Sequence, residues 1–168
     1  MKRLLTLDGK NYDPALPEIL RVSARGIIRE GDRYLFVQDN FGNVKLPGGG
    51  IEAGEDDRTA LIREVREETG YEVIPESIVP FGEIEEKRLS AHEMMIWHQL
   101  SRVYFCKVSS VQGQTAYTDN EKKYGFRLAR YTLEEAIAMN ESLLRREGER
   151  KWVEREYRTF LLIKEYLG

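Results

Sequence analysis

Residues 46–70 constrain this chain more than any other stretch, because a segment that resists regular structure runs directly into one that favours helix. Leu46-Pro47-Gly48-Gly49-Gly50 suits neither helix nor strand, since proline lacks an amide donor and glycine loses the most backbone entropy on ordering. Asp57 to Thr69 supports helix throughout, and Gly70 stands where a left-handed C-terminal cap is wanted. The expectation is a shaped loop feeding a helix of about a dozen residues.

A helix turns about 100° per residue, so Glu64, Glu67 and Glu68 share one face while Leu61, Ile62, Val65 and Thr69 fall on the neighbouring arc. The apolar arc can dock on a sheet, leaving the carboxylates beside a cleft. Three like charges at helical neighbour spacing cost roughly a few tenths of a kcal/mol per pair. A solvated acidic face is the ordinary explanation of such a trio. The glycine loop upstream and the glycine cap downstream favour a bound hard cation instead. Carboxylate oxygens suit Mg²⁺ or Mn²⁺, and magnesium takes few protein ligands, with phosphate and water filling the rest.

Gly49, Glu55, Arg63-Glu64-Val65, Glu67-Glu68, Gly70 and Tyr71 together resemble the signature of the Nudix hydrolases, G-x5-E-x7-R-E-U-x-E-E-x-G-U, with Tyr71 as the final bulky position U. A chance match in a chain of this size is rarer than roughly one in a million at average residue usage. The resemblance implies an α/β/α sandwich with a mixed β-sheet, one or more divalent cations, and hydrolysis of the diphosphate linkage of a nucleoside diphosphate derivative. Nucleoside triphosphates, nucleotide sugars and ADP-ribose are the candidate substrates. It also implies metal ligation by Glu67, Glu68 and the Gly48 carbonyl, with Glu64 as either a third ligand or the general base. Gly49 would let substrate phosphates approach, Glu55 and Arg63 would pair to tie loop to helix, and a further glutamate would come from downstream. Glu121 is the choice for that role and Glu93 the runner-up. Arg25, Arg21 and Lys45 are placed to contact phosphate or ribose, although solvated strand-edge charges explain them about as well. The chain departs from the common pattern at Val44, where many relatives carry tryptophan. An isopentenyl-diphosphate isomerase type is disfavoured by the lack of a cysteine near the loop, and a noncatalytic sensing domain by the complete set of box carboxylates.

The rest of the chain bounds these expectations. At 168 residues there is room for one domain with a sizeable core, read as an N-terminal arm or edge hairpin over 1–20 and the Nudix domain over 21–168. A formal net charge of -3 disfavours a sequence-independent grip on polymeric nucleic acid, and the lone Cys106 excludes an internal disulfide. With no apolar segment suited to a membrane, the cytoplasm is the simplest address. Val22–Ile28 and Tyr34–Val37 are expected to pair as a hairpin across Glu30-Gly31-Asp32, with further strands over 71–74, 78–84 and 94–108. Thr132-x-x-Glu135 opens a helix to Glu147, and Val153, Tyr157, Phe160, Ile163 and Leu167 space a last one. The arm or the Trp152 helix could mediate a homodimer. His92-Glu93 fails as a zinc-protease motif because Ile96 stands where the second histidine is needed. Trp97 and Trp152 read as core or interface anchors rather than base-stacking platforms.

Overall fold

The computed structural model describes residues 1–90, 93–147 and 151–168. The chain begins with strands β1 (Arg3–Asp8), β2 (Glu18–Ile27), β3 (Arg29–Glu30), β4 (Arg33–Gln38), β5 (Val44–Lys45) and β6 (Gly48–Gly50). Helix α1 (Asp57–Thr69) is followed by β7 (Tyr71–Val73), β8 (Val79–Leu89), β9 (Ile96–Phe105) and β10 (Val108–Gln112). Then come α2 (Asp119–Lys123), β11 (Arg127–Tyr131), α3 (Leu133–Glu147) and α4 (Lys151–Leu167). Among the described residues the main sheet has the order β1-β8-β9-β2-β6, mixing parallel β1·β8 and β2·β9 pairs with antiparallel β8·β9 and β2·β6 pairs. A second sheet has the order β11-β4-β3, with β5 also on β4, and β10 pairs β7.

The two faces of β2 are packed differently, and that asymmetry positions the site. Ala24 belongs to a core with Ala60, Leu61 and Val65 of α1 and Leu35, Val73 and Tyr104. On the other side Phe160 and Ile163 of α4 pack with Phe36, Leu46, Ile84 and Val103, the Phe36 and Phe160 rings meeting edge-on at 5.2 Å. Each fully buried Leu, Ile, Val or Phe contributes roughly 1.5–3 kcal/mol. No helix among the described residues is long and apolar enough to cross a membrane.

Several expectations hold and others are corrected. Helix α1 has the expected bounds, with Asp56 accepting from the Thr59 N–H at its start and Gly70 at φ 77° closing it. Thr132 and Glu135 exchange both capping bonds. The stretch read as an arm or edge hairpin instead supplies β1, which lies parallel on β8 and is fixed by Leu4 packing over Gly82. Without β1 the edge of β8 would present unpaired backbone groups. On its N-terminal side β4 pairs with β3 rather than β2: at Ile28, whose carbonyl accepts from the Leu35 N–H, the chain leaves the main sheet, so β2 pairs β9 and β6 instead. The glycine run is not wholly irregular, because with no side chains in the way Gly48–Gly50 adds a short strand to β2. Strand β8 runs on to Leu89, the stretch read as one strand over 94–108 holds β9 and ends where β10 begins, and neither β10 nor α2 was foreseen.

Candidate active site

The loop before α1 is pinned from behind by the two C-terminal helices. Asn140 of α3 accepts from the Val44 N–H at 3.0 Å and donates to the Val44 carbonyl at 2.8 Å. Glu156 of α4, almost wholly buried, accepts from the Leu46 N–H at 3.1 Å. On the loop's other side the Gly26 N–H donates to the Pro47 carbonyl, and the Gly48 N–H donates to Glu68 Oε2 at 2.7 Å. Gly48 sits at φ 138° with Ala24 and Arg25 backbone where a Cβ would be, a place open only to glycine.

The three glutamates of α1 occupy different surroundings. Glu68 is buried, with Lys45 Nζ donating to its Oε1 at 2.6 Å, and burial pushes its carboxyl up against the opposing pull of Lys45. Glu64 is held at 2.7 Å by Arg63 Nη1, and its carboxylate fills the space beside Gly49 that any side chain there would need. Glu67 is 37% exposed in its side chain and lies 3.5 Å from the same Arg63 nitrogen. Burial raises its pKa, the Glu64 charge adds to the rise and Arg63 opposes it. Arg63 also bonds Glu55 through Nε at 2.8 Å and Nη2 at 2.9 Å, and donates to the Gly50 carbonyl. Among the described residues no three acidic, histidine or cysteine side chains converge as a ready metal cage.

The chain's relatives bear on what such a helix is for. Residues 19–155 match the family model described as the NUDIX domain. The chain belongs to the Nudix family. Members of this family are generally diphosphate hydrolases and typically depend on a divalent metal. A Nudix hydrolase from Nitrosomonas europaea superposes with TM-score 0.60 at 22% identity, covering 89% of each chain. A MutT Nudix hydrolase from Burkholderia pseudomallei gives TM-score 0.53 at 21% identity, over 69% of this chain and 85% of that one. These two likenesses establish the Nudix fold, the mixed α/β architecture expected above. Among curated proteins no match is found.

Within this Nudix domain the other expected residues are dispersed. Glu121 is the third residue of α2 and spends its carboxylate on a capping box with Thr118, yet its charge is felt at Glu67. Glu93 is exposed in a bend before β9, and His92 lies outside the described residues. Arg25 is buried, 3.3 Å from the Leu46 carbonyl and 3.4 Å from the Gly48 carbonyl, so the expected metal-ligand carbonyl already accepts a long bond. Lys45 pairs with Glu68 through one of its three N–H groups and lines the neighbouring cavity, and Gly49 makes room for Glu64 rather than for open approach. Cys106 is buried, its thiol pushed up to about 12, which removes it as a nucleophile.

Sequence reasoning missed a cavity of about 600 Å³ beside Lys45, lined in part by Arg21, Ser23 and Arg25 of β2 and Trp97 and Gln99 of β9. The signal was available on β2 alone, as polar residues at every second position (Arg21, Ser23, Arg25), and the register sets Arg21 opposite Gln99 and Ser23 opposite Ser101. Trp97, expected to be a packing anchor, has the Arg21 and Arg88 guanidiniums each 5.8 Å from its ring centroid.

Glu55 gives this region a pH signature. The paired Arg63 guanidinium holds its carboxyl at about 2, against an ordinary 4.5. Stabilisation from a depressed carboxyl is full above the ordinary value and lost as pH falls through the folded one. The wild-type melting temperature should therefore fall between about pH 5 and 2, and less steeply in Glu55→Gln. Equal slopes in the two proteins would dismiss the pair as a stabilising feature.

Proposed function

We propose that this chain is a divalent-metal-dependent hydrolase that cleaves a diphosphate linkage in a nucleoside diphosphate derivative by attack of water on phosphorus. The observation that carries the reading is the pair Glu64 and Glu67, both within reach of a single cationic nitrogen of Arg63 on a helix whose loop abuts a cation-lined cavity. The donor set fits a hard cation: it is all oxygen, and magnesium asks for only one or two carboxylates besides phosphate and water. Glu64, Glu67 and Glu68, with the Gly48 carbonyl, would hold it. When bound, such a cation neutralises phosphate oxygens and lowers the pKa of a coordinated water.

The chain's own residues supply the rest. Arg63 keeps Glu64 and Glu67 on one side of α1 by bracing them against Glu55 and the Gly50 carbonyl. Lys45 offers an ammonium at the cavity wall, beside Glu68, where a phosphoryl oxygen can be neutralised and oriented. Glu64 or Glu121 would accept the proton of the attacking water, and both carboxylates lie close enough to act on Glu67 electrostatically.

The test is a hydrolysis screen over nucleoside triphosphates, nucleotide sugars, ADP-ribose and dinucleoside polyphosphates, with products identified to locate the cleaved bond. Turnover should require magnesium or manganese, stop on chelation and return on metal addition. Tight binding with no turnover of any of these compounds would favour a sensing domain instead.

A further inference from the structure

The C-terminal end of α1 is completed by a distant piece of the chain. A helix leaves its last four carbonyls without partners of its own, here those of Arg66, Glu67, Glu68 and Thr69. The Gly70 N–H serves the first. Residues 112–117 serve the others: the Ala116 N–H donates to the Glu67 carbonyl at 2.7 Å, the Tyr117 hydroxyl to the Glu68 carbonyl at 2.6 Å and Gln112 Nε2 to the Thr69 carbonyl at 2.9 Å. The backbone that carries Glu67 and Glu68 is therefore held by a segment 43 to 49 positions further on.

The same segment leads straight into α2. Tyr117 precedes Thr118, which caps α2 and forms its capping box with Glu121. That box uses only Oε2 of Glu121, and among the described residues Oε1 takes no hydrogen bond. The side chains of α2 bond only within 118–122 among the described residues, so α2 takes its place from the chain on either side. Beyond it the chain is tied to β4 and the turn that follows: the Asn40 N–H donates to the Tyr124 carbonyl at 2.9 Å, and Arg127 Nη2 donates to Gln38 Oε1 at 2.8 Å. Ahead of it, residues 113–116 are exposed, and half-buried Tyr117 supplies the one side chain of 113–118 that bonds α1 among the described residues. Burial pushes its hydroxyl up to about 12, the Glu68 and Glu121 charges adding to the rise, so it remains a donor through neutral pH. Glu121, also half-buried, is the residue of α2 that is not exposed.

We propose that Tyr117 is a positioning residue for the hydrolysis: its bond to the Glu68 carbonyl clamps the start of α2 onto the end of α1 and so sets where Glu121 stands relative to Glu64 and Glu67. The inference rests on the hydrolase reading and, of the two proton acceptors named there, takes Glu121, whose Oε1 is left to the attacking water. A reacting group misplaced by about 1 Å can lose about a hundredfold in rate, so one hydroxyl at this junction has a long lever.

The test is kinetic, with a second arm that needs neither metal nor substrate. Tyr117→Phe removes the hydroxyl and keeps the ring. On whichever diphosphate the full chain hydrolyses, it should lower kcat by at least about fivefold, keep KM within about twofold and lower the melting temperature by no more than about 5 °C. Glu121→Gln should lower kcat by at least as much. In that background Tyr117→Phe should cost less than about twofold more, because the two residues act on one step. In the free protein, amide exchange over residues 116–123 should quicken severalfold in Tyr117→Phe, while α3 keeps its wild-type rates. A smaller loss of kcat, a loss confined to KM, the same loss with and without Glu121, or unaltered exchange would each overturn the proposal. A larger fall in melting temperature would do so too, since it would mark the bond as one that holds the fold. If the wild type turns over no diphosphate, the hydrolase reading and this one fall together. Turnover that Tyr117→Phe leaves unimpaired would sink this one alone.

Discussion

Glu67→Gln should lower kcat for diphosphate hydrolysis at saturating magnesium by about a hundredfold or more while moving the melting temperature by no more than about 2 °C. The two halves of this expectation have separate causes. Glu67 is the most exposed of the three helix carboxylates, and its single side-chain partner is an Arg63 nitrogen at 3.5 Å, so an isosteric amide removes little that holds the fold. Partial burial and the Glu64 carboxylate disfavour its charge and Arg63 offsets this only in part, so a bound cation would be a further counter-charge for the pair. The equivalent change at Glu68 is a poorer probe, because it would strip the half-buried Lys45 of its counter-charge and unsettle the Gly48 N–H as well. Turnover by Glu67→Gln within threefold of wild type would remove the proposed mechanism.

The largest effect on stability is expected at a residue far from the glutamate helix. Glu156 accepts from the Leu46 N–H, bonds Arg155 at 3.1 Å and lies 3.8 Å from Arg25, all in the interior. Burial alone would raise its carboxyl, but the Arg25 and Arg155 charges overcome it and hold the pKa below the ordinary value. Arg155 also reaches Glu86 at 2.9 Å, so one chain of charges ties α4 to β8 and β2. Removing one member of a buried pair costs about 3–5 kcal/mol, chiefly through the charge left behind. Glu156→Ala should accordingly lower the melting temperature by roughly 6–20 °C in a chain of this length, followed by calorimetry. A fall of less than 2 °C would mean that the network is solvated and contributes little.

What could be read beforehand divides along physical lines. Helix α1 was legible to the residue because its signals are local: Asp56 ahead of it, Gly70 behind it and an apolar arc between. The family followed from the same stretch, since spacing along one helix is fixed by backbone geometry. Strand partners were not legible in the same way. Arg29-Glu30 and Val22–Ile27 are both good strand, and only tertiary pairing decides that the chain changes sheets at Ile28. The same limit hid the cavity. Arg21, Ser23 and Arg25 are spaced for one face of β2, but their meaning depends on Trp97 and Gln99, more than 70 residues away, arriving in register on β9. The parallel pairing of the N-terminal strand was not foreseen because its partner, β8, lies about 80 residues along.

The grip of Glu156 on Leu46 spans 110 positions in the chain. As the polypeptide leaves the ribosome, the acidic helix can form early from its own short-range signals, but the turn ahead of it cannot settle until the last helix has emerged. A nascent chain thus carries every carboxylate of the motif well before it has the scaffold that aims them, and clipping α4 from the finished protein would return it to that unfinished condition.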